Sequence, residues 1–120
     1  MSRSTGSAER LERYRQLAIT HETALWQGDH IVANAAHDDI QALARNLHVP
    51  CTDFLALLKD HSPAVRLWAA SHALQLDRDR AESALEDLVA LSVPGVSFDA
   101  EYTLQEWRKG RLKPVVECGE

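Results

Sequence analysis

Apolar positions along this chain recur at spacings of three and four, and no stretch alternates apolar and polar residues with the two-residue period of a half-buried strand. Leu11, Tyr14, Ala18, His21 and Leu25 draw one stripe and predict a helix over 7–27. Ser7 is its expected N-cap, and Gly28 follows its end, where a left-handed backbone favours glycine. Asp29 caps a second helix running to Leu47, with the stripe Val32, Ala36, Ile40, Leu43 and Leu47. So short a turn holds the two helices antiparallel. His48-Val49-Pro50 ends the second helix, because the residue before a proline is pushed out of the α region.

Shorter helices follow. One over 51–59 directs Phe54, Leu57 and Leu58 inward. Ser62 caps the next and Pro63 opens it, at the position where a missing N–H is no loss. That fourth helix continues through Val65, Trp68, Ala69, Ala73 and Leu76. A polar turn at 77–80 leads to a fifth helix over 81–91 on Ala84, Leu85, Leu88 and Val89. Val93-Pro94-Gly95 breaks the chain, and Ser97 is the expected cap of a sixth helix carrying Ala100, Thr103, Leu104 and Trp107 and stopping at Gly110. The pattern predicts one helical domain over 7–110, between a frayed polar tail at 1–6 and an extended tail at 111–120.

Laying Ser62 on Ser97 puts Val65 on Ala100, Ala69 on Leu104 and His72 on Trp107. A repeat of about 35 residues built from helical hairpins is the mark of an α-solenoid, here a short one of about six helices. The run Leu57-Leu58-Lys59-Asp60-His61-Ser62-Pro63-Ala64-Val65-Arg66-Leu67-Trp68-Ala69-Ala70 resembles the HEAT-repeat pattern. In it Ala69 and Ala70 let two helices approach closely, and Asp60 and Arg66 are placed to tie the inter-helix turn to the following helix. Asp60, Pro63, Val65, Arg66, Trp68 and Trp107 are read as this structural repeat motif.

A wider likeness rests on Val65 to Leu74, on Glu106-Trp107-Arg108-Lys109-Gly110, on Tyr14 with Gly28-Asp29, and on Asn34. Over 8–112 the chain resembles a bacterial domain-of-unknown-function family of small HEAT-like helical proteins. Members of that family are similar to proteins encoded beside polymorphic toxins and are read as candidate immunity proteins. The resemblance implies an all-α stack of HEAT-like hairpins that binds and neutralises a cognate toxin in the bacterial cytoplasm; the sequence leaves the oligomeric state open, with a monomer favoured. A small adaptor or scaffold is the alternative within the same architecture.

Composition narrows the remaining classes. A chain of 120 residues suits one domain with its own core. With 45% hydrophobic and 26% charged residues, disorder of the whole chain is not expected. The formal net charge is −5, from 13 Lys plus Arg and 18 Asp plus Glu. An acidic surface repels phosphate backbones, so nucleic acid is not an expected partner. Arg10, Arg13 and Arg15 are broken up by Glu9 and Glu12 and read as a solvated face. No apolar run reaches the length of about 18 residues that a membrane span needs, and the small polar N-terminus is unlike a signal peptide. Cys51 and Cys118 are expected to be free thiols in a reducing cytoplasm.

No catalytic set, metal site or cofactor is expected. The six histidines include no pair three or four apart. His37-Asp38-Asp39, with His30 nearby, supports only a rival reading as a small helical metal hydrolase. There is no Gly-rich phosphate loop and no Gly-x-Ser-x-Gly elbow. The candidate partner-binding residues are acidic: Asp79, Glu82, Glu86 and Asp87 on the fifth helix and Glu101 on the sixth. They read either as a solvated face or as the complement of a basic, nuclease-type toxin. Trp107 is expected in the core and Trp68 at its margin. Trp26 is expected to be part-buried in the first turn or, alternatively, to be an exposed apolar anchor.

Overall fold

Local sequence accounts for most helix ends. Asp29 accepts a hydrogen bond from the Val32 N–H at 3.1 Å, and Ser62 Oγ accepts from the Val65 N–H at 3.4 Å ahead of Pro63. Gly28 takes a φ of 72° behind the first helix. In this computed structural model residues 2–119 are described, with side chains from residue 6 onward. They form six α-helices: α1 (Ser2–Gln27), α2 (His30–Arg45), α3 (Cys51–Leu55), α4 (Pro63–Ala73), α5 (Arg78–Leu91) and α6 (Val96–Arg108). A 3-10 turn, Ala56–Lys59, follows α3. No strand occurs among the described residues, so the fold is all-α as the periodicity predicts.

Three helix starts differ from expectation. Ser7 lies inside α1, not at its cap, because the helix already runs from Ser2. Of the tail expected at 1–6, Met1 and the side chains of residues 2–5 lie outside the described residues. Helix α5 begins at Arg78, because Asp77 accepts the Arg80 N–H at 3.3 Å and so caps a turn expected to be loop. Ser97 does not cap α6, which starts at Val96 behind Gly95 at φ 81°. The Ser97 hydroxyl instead donates to the Leu88 carbonyl at 2.6 Å and accepts the Val93 N–H at 2.7 Å. It pins the α5–α6 turn.

The chain divides into two compact units: residues 2–54 with 116–119, and 55–115. In the first, α1 packs on α2. The interface buries Tyr14, Leu17, Ala18 and Ala24 against Ala33, Ala36, Ile40 and Ala44. Alanines face the neighbouring helix, which permits close approach, and the larger Leu25 and Val32 of the expected stripes are turned outward. Tyr14 and Phe54, both fully buried, meet edge to face with ring centroids 5.4 Å apart.

Residues 111–119 form no helix or strand, yet their end is tied down. The Glu117 N–H donates to the Ala44 carbonyl at 2.7 Å, and the Glu117 carbonyl accepts from Leu47 and His48 at 3.2 and 3.4 Å. The Gly119 N–H donates to the Val49 carbonyl at 2.6 Å. Cys51 and Cys118 are joined in a disulfide, with Cα atoms 5.1 Å apart and a separation of 67 positions in sequence. This corrects the expectation of two free thiols: the returning segment brings the second cysteine to the start of α3.

The second unit packs α4 against the 3-10 turn, α5 and α6, and α5 against α6. Val65, Ala69, Ala70 and Ala73 of α4 are wholly buried, with Leu85 and Leu88 of α5 and Ala100 of α6. Leu76, expected on the α4 stripe, falls beyond the helix end and is exposed.

Two outcomes follow. Burial holds the Tyr14 phenol well above its ordinary pKa. The unfolded chain therefore ionises Tyr14 first, and stability present below about pH 10 declines as the pH rises towards the folded value. Urea midpoints measured across that alkaline range should fall for the wild type, and Tyr14→Phe should flatten the decline. Replacing both Cys51 and Cys118 by serine should lower stability by about 4 kcal/mol, the loop-closure value for a loop of this length, read from chemical denaturation with helical content retained.

Candidate partner-binding surfaces

The acidic residues expected to face a partner divide by what they touch. Asp79, Glu86, Asp87 and Glu101 are exposed. Glu82 is half-buried and accepts a hydrogen bond from Trp107 Nε1 at 2.7 Å. Arg108 reaches from the end of α6 to Glu86 at 2.8 Å and to Glu82 at 3.6 Å. The Glu86 hydrogen bond, followed by the charges of Glu82 and Glu86, holds the Arg108 guanidinium above its ordinary pKa against the opposing effect of desolvation. Glu82 and Glu86 thus brace α5 to α6, and a charge reversal at Glu82 would disturb the helix pair as well as the surface. Asp79 pairs with Arg78 at 3.8 Å. It lines a shallow groove of 490 Å³ with Leu74, Gln75, Asp77, Arg78 and Trp107.

The repeat-motif residues occupy structural places. Val65 is fully buried and Pro63 opens α4. Asp60 Oδ2 accepts the Ser62 N–H at 3.0 Å and closes the turn before α4. Arg66 is half-buried, and its Nε is buried with no hydrogen-bond partner. Trp68 is half-buried with its ring 5.7 Å from that of the buried His72. Trp107 is half-buried, not fully in the core.

Exposed large apolar side chains include Leu76, Leu91 and Val115, and two further groups gather on single surfaces. On the first unit, Leu25 and Trp26 end α1 while Ile31 and Val32 begin α2, all exposed around the Gly28 turn. Ile31 is 83% and Trp26 67% accessible. Trp26 Nε1 donates to Glu22 at 3.1 Å one turn back, which fixes the indole while leaving its face open. Residues 16–44 include Glu22, Asp29, Asp38 and Asp39 but no lysine or arginine. On the second unit, the outer face of α6 presents Phe98, Glu101, Tyr102 and Gln105. Trp26, expected first to be part-buried in this turn, is exposed, as the alternative had it. Ile31, Phe98 and Tyr102 were not singled out, although Phe98 and Tyr102 lie four apart and off the Ala100–Leu104 stripe.

The histidines do not converge. His37 approaches Asp38 at 3.5 Å on the surface, and its ring lies 6.2 Å from that of His21 across α1 and α2. His30 is exposed at the start of α2. Among the described residues no group of three or more His, Cys, Asp or Glu side chains gathers as a metal site would require. Among the described residues, too, no helix is long and apolar enough to cross a membrane. No family model matches the chain, and neither the curated proteins nor the solved structures contain a match.

The brace between α5 and α6 yields a stability contrast. Glu82→Ala removes the acceptor of a half-buried indole N–H and should cost about 1–2 kcal/mol. Glu86→Ala breaks only an exposed pair and should cost less than about 0.5 kcal/mol. Thermal melts of the two variants check the difference.

Proposed function

We propose that this chain is a protein-binding module that neutralises a cognate, basic protein toxin. The observation that carries the reading is the tip of the α1–α2 hairpin. Four large apolar side chains stand exposed there within eight positions of sequence. Exposed apolar clusters of this kind mark contact sites, and a tryptophan held ready by a hydrogen bond loses little rotamer freedom on binding. The acidic residues around it, with no cation over 16–44, favour a partner whose cleft is rimmed by lysine and arginine. They disfavour an anionic lipid surface, which recruits basic segments. A nuclease-type toxin fits because a protein that handles nucleic acid carries such a rim. The repeat reading of α3 to α6 as two HEAT-like hairpins belongs to the same proposal, as does a cytoplasmic site of action.

A second reading, as an adaptor, draws on a different observation. The α6 face with Phe98 and Tyr102 is an apolar surface on the other unit, so the chain has one candidate contact site on each.

Co-expression with the protein encoded by the neighbouring gene tests the first reading. Growth should be rescued and a stable complex should copurify. Trp26→Ala and Ile31→Asp should each weaken the complex by tenfold or more, about 1.4 kcal/mol or more, with helical content and melting unchanged. Glu101→Lys should act mainly on the association rate if α6 also contributes. A neighbour that is neither toxic nor bound would end the toxin reading. Loss of binding on Phe98→Asp, with Trp26→Ala silent, would move the interface to α6.

A further inference from the structure

Residues 116–119 are held to the first unit by two kinds of bond. Four backbone hydrogen bonds join Glu117 and Gly119 to Ala44, Leu47, His48 and Val49. One covalent bond joins Cys118 to Cys51. Side-chain burial adds little: Glu117 is exposed, Val116 and Cys118 are half-buried, and Gly119 has no side chain. A four-residue segment that buries no complete side chain has little to offset the entropy of being ordered once its covalent tie is cut. Both cysteines are half-buried, so neither residue is closed off from solvent.

We propose that Cys51–Cys118 is a redox latch. Oxidised, it keeps residues 116–119 seated along 44–49. Reduced, it releases them and opens the backbone groups of Ala44, Leu47, His48 and Val49, an edge of two acceptors and two donors that an extended peptide can pair with. The reductant is a dithiol. Its thiolate attacks one sulfur and the other cysteine leaves as a thiolate. The second thiol of the reductant then resolves the mixed disulfide. Two electrons pass to the cysteine pair, which takes up two protons, and the dithiol becomes a disulfide. A disulfide oxidant runs the steps in reverse. The bonded form suits an oxidising compartment and the open form a reducing cytoplasm. This proposal does not rest on the toxin reading.

Hydrogen exchange on the full chain, read amide by amide, tests it in the air-oxidised protein, after dithiothreitol, and in Cys118→Ser and Cys51→Ser. Thiol titration should find none before reduction and two after. Exchange at Leu47, His48, Glu117 and Gly119 should accelerate at least ~tenfold on reduction and in both variants and approach that of unprotected amides, while Ala36 and Ile40 stay protected, less strongly than before because the loop-closure contribution to global stability is lost. Unchanged exchange at those four amides would show a segment that docks without the bond and would overturn the latch. Loss of protection throughout α1 and α2, in the reduced protein or in either variant, would make the bond a structural staple and also overturn it. So would free thiols in the air-oxidised protein, or a bond that withstands excess reduced glutathione under native conditions.

Discussion

The first unit is discontinuous in sequence: residues 2–54 are completed by 116–119, with 61 residues of the second unit, Leu55–Val115, between them. Completing it means bringing two remote stretches together, and loop closure opposes that in proportion to the logarithm of the intervening length. The Cys51–Cys118 bond removes this cost from the folded state by imposing it on the unfolded one. The surrounding backbone is shaped to receive the returning segment. His48 takes a left-handed φ of 53°, and its N–H and that of Leu47 converge on the single Glu117 carbonyl. That geometry follows the end of α2, which stops at Arg45 rather than at the expected Leu47, so the backbone just beyond the helix receives the returning segment.

The same economy of packing produces the candidate interface. Two helices joined by a turn at Gly28 approach closely only if small residues meet, and Ala18, Ala24, Ala33 and Ala36 are the residues that do. Burying Ala33 in place of Val32, and Ala24 in place of Leu25, turns the larger neighbours out towards solvent. Trp26 and Ile31 lie beside these positions and share their fate. The exposed tip is therefore a consequence of the alanine interface.

Much of this was readable along the chain. Helix type, the Asp29 and Ser62 caps, Pro63 at the head of α4 and the burial of Phe54, Leu57 and Leu58 all follow from local rules, and each was met. What failed was non-local or turned on a single register step. A three-to-four spacing admits Val32 or Ala33 equally well, and only the partner helix selects between them. Ser97 was assigned the commonest serine role at a helix start, but its hydroxyl found Leu88 nine residues back. Two cysteines 67 positions apart carry no spacing signal, and composition alone favoured thiols. Glu82 looked like one of a row of surface carboxylates until Trp107 and Arg108 came within reach.

Charge acquires meaning from its distribution more than from its sum. A net charge of −5 is modest, but the cations at 108–113, namely Arg108, Lys109, Arg111 and Lys113, lie in the second unit. Three of them pair there with Glu82, Glu86 or Glu106. Acidic residues of the second unit are thus partly neutralised at short range, and exposed pairs of this kind project little field. In the first unit, Arg13 approaches Asp39 at 4.0 Å. Glu22 and Asp29, nearest the exposed tip, hold an indole N–H and a helix start. On the proposed reading, a carboxylate that positions the tryptophan would also attract a basic rim, so preorganisation and steering would reside in the same side chains. On that reading a glutamine at position 22 would still accept from the indole but would attract a basic partner less than the glutamate does.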